Sequence, residues 1–188
     1  MEITKIEDIK IVNATKDDLD TIFWLFEQAM EMQGKNDYKV WDGIDKIALQ
    51  KDIDEKVQYK IVNGGDILCI FSIQLNDPFI WRDRDRDDAI YLHRIVVNPN
   101  FRGQKQFQKV LDWAKQLARQ NNLKFVRMDT WAENLKIIEY YKSYGFEFIE
   151  NYKTRDTIEL PIQNRNLNVA LLEMELDDDP DLSSFQAI

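Results

Sequence analysis

The chain carries one histidine, His93, and one cysteine, Cys69. A lone cysteine permits no disulfide within the chain and no cysteine zinc site, and with a single histidine no metal centre is expected. Acid–base chemistry and anion binding remain. Imidazole ordinarily changes charge near neutrality, so His93 is a candidate general base. Asp129 and Glu133 are the other candidates, and the residues alone do not choose among the three. His93 lies in the run Tyr-Leu-His-Arg-Ile-Val-Val-Asn-Pro-Asn-Phe-Arg-Gly, residues 91–103. A strand, a tight loop and a helix follow one another here, which puts free backbone donors and the positive end of a helix dipole at one point. Such a point suits an anion such as a pyrophosphate.

The elements that would position these groups can be read from the pattern. Tyr91, Leu92, Ile95, Val96 and Val97 have the β-branched and aromatic density of a strand, and Pro99 ends it for want of a ladder donor. Alternation places His93 on the face of Tyr91 and Ile95, opposite Leu92 and Arg94. From Gln104 to about Gln120 the period becomes helical, with Phe107, Val110, Leu111, Ala114, Leu117 and Ala118 on one side. Before this unit come a strand at 9–12 and a helix capped by Thr15 with Asp18, carrying Leu19, Ile22, Phe23, Phe26, Ala29 and Met30. A more polar helix at 43–56 follows, with Ile44, Ile47, Ala48 and Ile53 as its apolar side. Strands at 58–63 and 67–75 are joined by Asn63-Gly64-Gly65-Asp66, a hairpin turn. After the unit come a strand at 124–130, a helix carrying Ile137, Ile138, Tyr141 and Tyr144 that ends at Gly145, and strands at 146–152 and 169–176. One mixed α/β domain over residues 1–176 is expected, an antiparallel hairpin leading into a parallel βαβ crossover. Residues 177–188 form an acidic tail.

Two segments hold large aromatics in polar surroundings, Tyr38 with Trp41 and Trp81 with the charge run to Asp88, and specificity is expected there. Composition narrows the function classes. The 188 residues are 44% hydrophobic, enough for a real core. Net charge is −9, which disfavours nucleic acid as a partner while leaving room for a local positive pocket. No run approaches the roughly 18 apolar residues of a membrane span. The N-terminus lacks an apolar signal core, so a cytoplasmic location is the expectation.

The motif Ile-Val-Val-Asn-Pro-Asn-Phe-Arg-Gly at 95–103, the amphipathic helix and strand behind it, Asn134, Tyr140-Tyr141 and Gly145-Phe146 resemble the Gcn5-related N-acetyltransferase (GNAT) superfamily over roughly residues 8–176. The resemblance implies the acyl-CoA N-acyltransferase fold: three layers, with helices on both faces of a mostly antiparallel sheet that holds one parallel, splayed pair. It implies acetyl-CoA in the splay between residues 92–97 and 124–130, with the strand segment Ile95, Val96 and Val97 pairing with the pantetheine amides. The loop of Arg102, Gly103, Gln104, Lys105, Gln106 and Phe107 would give its backbone donors to the pyrophosphate, and Asn134 would bond the pantetheine arm. Tyr141, in contact with the cosubstrate, would act as general acid on the leaving thiolate, a role that suits a phenol of ordinary pKa about 10. His93 would be the base candidate if its face opens on the cleft, and the backbone of Val97 would support the oxyanion. The activity implied is transfer of an acetyl group to a primary amine of a small molecule or peptide, and a homodimer through the C-terminal strands is one arrangement the family allows.

The phosphate loop departs from the family pattern. Lys105 stands where the first glycine is usual, and Phe107 where a glycine or alanine is usual. Small residues there let the backbone approach the phosphates closely. A second reading follows, a non-catalytic GNAT-like domain that senses a ligand or binds a protein.

Overall fold

The computed structural model describes residues 9–36, 41 and 43–177. Strand β1 (Ile9–Asn13) leads to Thr15, whose backbone N–H donates to Asp18 Oδ2 at 2.7 Å in the expected capping box. A 3-10 turn runs directly into helix α1 (Leu19–Lys35), which buries Ile22, Leu25 and Phe26. Helix α2 (Lys46–Asp54) is shorter than its sequence period indicates. Asp45 caps it, accepting from the Ala48 N–H at 2.9 Å. That start point sets the phase, so Leu49 and Ile53, four residues apart, face the core while Ile47 is 84% exposed.

Strands β2 (Gln58–Asn63) and β3 (Asp66–Gln74) form the expected hairpin, with Gly64 at φ 60 in its turn. Asp77-Pro78 ends β3 and opens a single helical turn, α3 (Pro78–Trp81). Strand β4 (Ala89–Val97), helix α4 (Gln106–Gln120), strand β5 (Phe125–Trp131), helix α5 (Leu135–Lys142), strand β6 (Glu147–Lys153) and strand β7 (Asn168–Glu175) follow. The seven strands make one sheet in the order β1-β2-β3-β4-β5-β7-β6. Among the described residues β4 and β5 are the one parallel pair, as expected of a sheet entered through a hairpin and a βαβ crossover. The acidic segment from residue 178 onward lies outside the described residues.

Helices α4 and α5 cover one face, where Phe107, Val110, Leu111 and Ile138 pack on Ile90, Leu92, Val126 and Met128. Helices α1 and α2 cover the other, packing Phe26, Leu25, Leu49 and Ile53 on Ile70 and Val96. A third, smaller cluster lies under α3 around Trp81, Tyr91, Val169 and Leu171. Trp81 is fully buried there, its ring 5.8 Å from Tyr91 and facing the Arg127 guanidinium, so it is core rather than part of a ligand-covering loop. The charged run behind it is pinned as well. Arg82 pairs with Glu150 at 2.6 Å, Tyr91 Oη donates to Asp85 at 2.7 Å, and the Arg127 guanidinium bonds Asp88 and the Arg84 carbonyl. No described helix is long and apolar enough to cross a membrane.

Candidate active site

The parallel ladder pairs Ala89–Leu92 of β4 with Phe125–Met128 of β5 and then stops, although both strands continue. Strand β5 stays on β7 as far as Trp131, while β4 turns away, so from His93 onward the β4 edge that faces β5 has no strand to pair with among the described residues. The cause lies on the other edge of β4. Ile70 pairs with Val96 and Ser72 with His93, so two steps along β3 match three along β4, a one-residue bulge that bends the strand. Arg94 absorbs it at φ 50, in the left-handed region.

The bulge also resets the side-chain alternation. Ile95 and Val97 pack with Leu92 against the α4 core, while Val96 joins the α1 side. Arg94 shares the face of His93 instead of opposing it, because its guanidinium reaches α2. It ion-pairs with Asp52 and donates to Ser72 Oγ at 3.1 and 3.2 Å. The placement of Ile95 with His93 and of Arg94 with Leu92, read from strict alternation, is therefore reversed.

A cleft of about 370 Å³ runs through the gap and links the two faces of the sheet. Ala29, Met32 and Gln33 of α1 line it on one side, and Ile137 and Tyr141 of α5 on the other. His93 and Asp129 stand between, and Ile95, Val96, Val97, Arg102 and Asn134 complete the expected wall. Trp41 lines it too, edge-on to Phe26 at 5.7 Å, whereas Tyr38 lies outside the described residues. Glu133 is absent from the lining and accepts from Asn168 Nδ2 at 3.0 Å, which leaves His93 and Asp129 as the cleft's base candidates.

The loop after β4 keeps a glycine-like backbone without the usual glycines. Gly103 sits at φ 76, and Lys105 adopts the left-handed conformation at φ 54, ψ 40, with its side chain exposed to solvent. Residues 103–107 lie outside the cleft wall itself. Phe107 is only 4% exposed, packed between the rings of Tyr141 and Tyr144, each at 4.9 Å. It thus points into the core and leaves the outer side of the loop clear. The first turn of α4 leaves the N–H groups of Gln106, Phe107 and Gln108 without intrahelical acceptors, and that turn contains no acidic side chain. These donors suit a pyrophosphate. Asn134 caps α5, its Oδ1 accepting from the Ile137 N–H at 3.2 Å, so the amide nitrogen is the end left for a ligand.

Tyr141 is packed among Phe107, Tyr140 and Phe146, and burial raises its phenol well above the ordinary range. It is a neutral proton donor throughout the neutral and mildly alkaline range. His93 lies between two carboxylates. Its Nε2 is 3.4 Å from Asp77 Oδ2, and its Nδ1 is 3.6 Å from Asp129 Oδ1. Burial raises both carboxyls, Asp77 to about 7. Each ring nitrogen faces a different carboxylate, and one ligand atom from each of Asp77, His93 and Asp129 lies within 4.8 Å of the other two. Sequence reasoning missed Asp77. Asp-Pro reads locally as a strand breaker, and no spacing pattern joins residue 77 to 93 and 129.

A mixed sheet whose single parallel pair splays beside a strand–loop–helix anion site defines the acyl-CoA N-acyltransferase fold. The chain belongs to the acetyltransferase (GNAT) family, whose model matches residues 21–146. It is 32% identical over 73 residues to the uncharacterized N-acetyltransferase YesJ of Bacillus subtilis, covering 39% of this chain and 41% of that one. It is 26% identical over 151 residues to the uncharacterized N-acetyltransferase MJ1207 of Methanocaldococcus jannaschii, covering 76% of this chain and 62% of that one. In each case the match spans less than two thirds of the relative. Among solved structures, a GNAT-family acetyltransferase from Listeria monocytogenes superposes with TM-score 0.72 at 21% identity, over 89% of this chain and 95% of its own. YncA of Salmonella typhimurium, a putative acetyltransferase solved with its cofactor acetyl-CoA, superposes with TM-score 0.61 at 17% identity, over 92% and 96%. At these identities the structures speak for the fold.

Proposed function

We propose that this protein is an acetyl-CoA-dependent N-acetyltransferase acting on a primary amine of a small molecule or peptide. The observation that carries the reading is the cleft through the β4–β5 gap, which joins the Tyr141 phenol and Arg102, the first residue of the anion loop, to His93 and Asp129 at its centre. Acetyl-CoA supplies the activated acyl group as a thioester. The backbone donors of residues 103–108 and the Arg102 side chain hold the pyrophosphate. The unpaired edge of β4 at Ile95–Val97 receives the amide arm as an added strand would, and Asn134 Nδ2 donates to it. His93 takes a proton from the amine, and Tyr141 gives one to the leaving sulfur. Asp129 favours a cationic acceptor. The reading carries with it a cytoplasmic location, and homodimerisation remains compatible with it. The neighbour solved with acetyl-CoA supports the choice of cosubstrate.

Calorimetry with acetyl-CoA tests the reading, together with release of free CoA thiol over a panel of primary amines. Micromolar binding and thiol release by the wild type, with release lost in Tyr141→Phe at unchanged affinity, are expected. Binding without turnover of any amine would favour the sensing domain, which Lys105 and Phe107 suggest. No binding of acetyl-CoA would overturn the enzyme reading and leave the non-catalytic domain in its place.

A further inference from the structure

Asp77 has no ordinary structural task. It stands at the N-cap of α3, but its side chain makes no capping bond. It is 5% exposed, and its Oδ2 is buried without a hydrogen-bond partner among the described residues, as is His93 Nε2 opposite it. Its backbone is held tightly, the N–H donating to Asp85 Oδ2 at 2.9 Å and the carbonyl accepting from Trp81 at 2.9 Å and Ile80 at 3.3 Å. A carboxyl sealed in this way is unfavourable unless something compensates it, and the group whose charge most favours its ionised form is the His93 imidazole, ahead of the Ile80 backbone N–H. The other side of the ring opens towards Asp129, at the point where β4 and β5 separate.

We propose that Asp77 is a positioning residue that acts through His93: it holds the imidazole with its N–H on Nε2, so that the Nδ1 lone pair meets the acceptor amine beside Asp129. The inference rests on the acetyltransferase reading given above. The proton balance is simple. An incoming R–NH3+ is drawn to Asp129 and gives one proton to Nδ1, leaving an imidazolium that Asp77 supports. The free amine forms its bond to the acyl carbon as the C–S bond breaks. Tyr141 protonates the sulfur and recovers the second nitrogen proton, while His93 releases the first to water. The products are the amide, CoA thiol and one proton.

The same logic operates in hydrolase triads, where a buried aspartate fixes the tautomer of the catalytic histidine and its amide analogue favours the wrong one. Here burial, and then the nearby carboxylates of Asp129 and Asp85, push Asp77 up, while His93 pulls it down. Across the second cavity, of about 210 Å³, stand Asp52 of α2, Arg94 of β4 and Glu159 of the loop before β7. Asp77 thus ionises at about 7, and above that point its carboxylate can accept from the Nε2–H.

The single histidine makes the test direct. Nitrogen-15 spectra of the full chain at pH 8 report the imidazole tautomer without assignment. The wild type should carry its proton on Nε2, and Asp77→Asn, which can donate to Nε2, should move it to Nδ1. In the thiol-release assay Asp77→Asn should lower kcat by about a hundredfold with KM for acetyl-CoA unchanged. Asp77→Glu should restore part of it, and the acid limb near pH 7 should move in the asparagine variant. An Nδ1–H tautomer in the wild type, or the same tautomer in both proteins, overturns the proposal even if amines are acetylated well. If no amine is acetylated, the acetyltransferase reading fails, and the tautomer shift still decides whether Asp77 governs His93.

Discussion

The ring of Phe107 lies 4.9 Å from that of Tyr141, tilted by 57°. The residue that looks out of place in a phosphate loop is therefore a packing partner of the proposed acid. Phe107→Ala should lower unfolding free energy by about 3–5 kcal/mol, because it opens a cavity under α5. It should also reduce turnover by loosening Tyr141, with little change in acetyl-CoA affinity. Phe107→Leu should retain most of both. Urea titration with thiol-release kinetics separates the two effects. A variant that gained acetyl-CoA affinity would show instead that Phe107 obstructs the loop.

Lys105 predicts a much smaller effect. Its left-handed backbone suits glycine, so Lys105→Gly relieves strain of about 1 kcal/mol in the folded state. The entropy of the unfolded chain opposes this gain. Stability should change by less than about 1 kcal/mol, and acetyl-CoA binding should persist, since the loop already has the backbone shape that a glycine would adopt. A melting curve and a calorimetric titration check both statements.

The bulge residue Arg94 is buried in an ion pair with Asp52, and burial pushes its guanidinium down to about 10. Removing one partner leaves the other charge uncompensated. Asp52→Ala should lower stability by about 3–5 kcal/mol, whereas Asp52→Leu combined with Arg94→Met should recover most of the loss. A double-mutant cycle in urea measures the coupling, and additive losses would show that the pair is not one unit.

The buried carboxyl of Asp77 has a stability signature. Its folded value is about 7 against an ordinary 3.8, so between about pH 4 and 7 the folded state holds a proton that the unfolded state has released. Stability from this group is fully present below pH 4 and is lost as pH rises through 7, by about 4 kcal/mol. Asp129, also raised by burial, adds in the same direction. Asp77→Asn should therefore become more stable relative to the wild type as pH rises from 4.5 to 8. Parallel curves across that window would contradict the burial of an ionising group at this position.

Much of the architecture was legible because it is local. The alternation and turn at Asn63–Asp66 and the capping box at Thr15 each involve neighbours in sequence, and the structure has both; the helix expected from Gln104 is there too, beginning at Gln106. Tyr141, Asn134 and Ile95–Val97 were legible for another reason, since they lie in motifs that resemble a family, and the structure brings them to one cleft. Trp81 misled because an aromatic beside a charge run reads the same whether it covers a ligand or fills a core.

The order of strands and helices follows from short-range chemistry, which amino-acid types and their spacing express directly. The bulge at Arg94, the turn of β4 away from β5 and the meeting of Asp77, His93 and Asp129 depend on pairings between distant segments. Ser72 must choose His93, and Asp52 must be within reach of Arg94, before the strand bends. Such choices balance ladder bonds, a buried ion pair and backbone strain across three elements at once. No single segment of the chain encodes that balance, and packing alone resolves which face of the strand His93 shares and which carboxylates surround it.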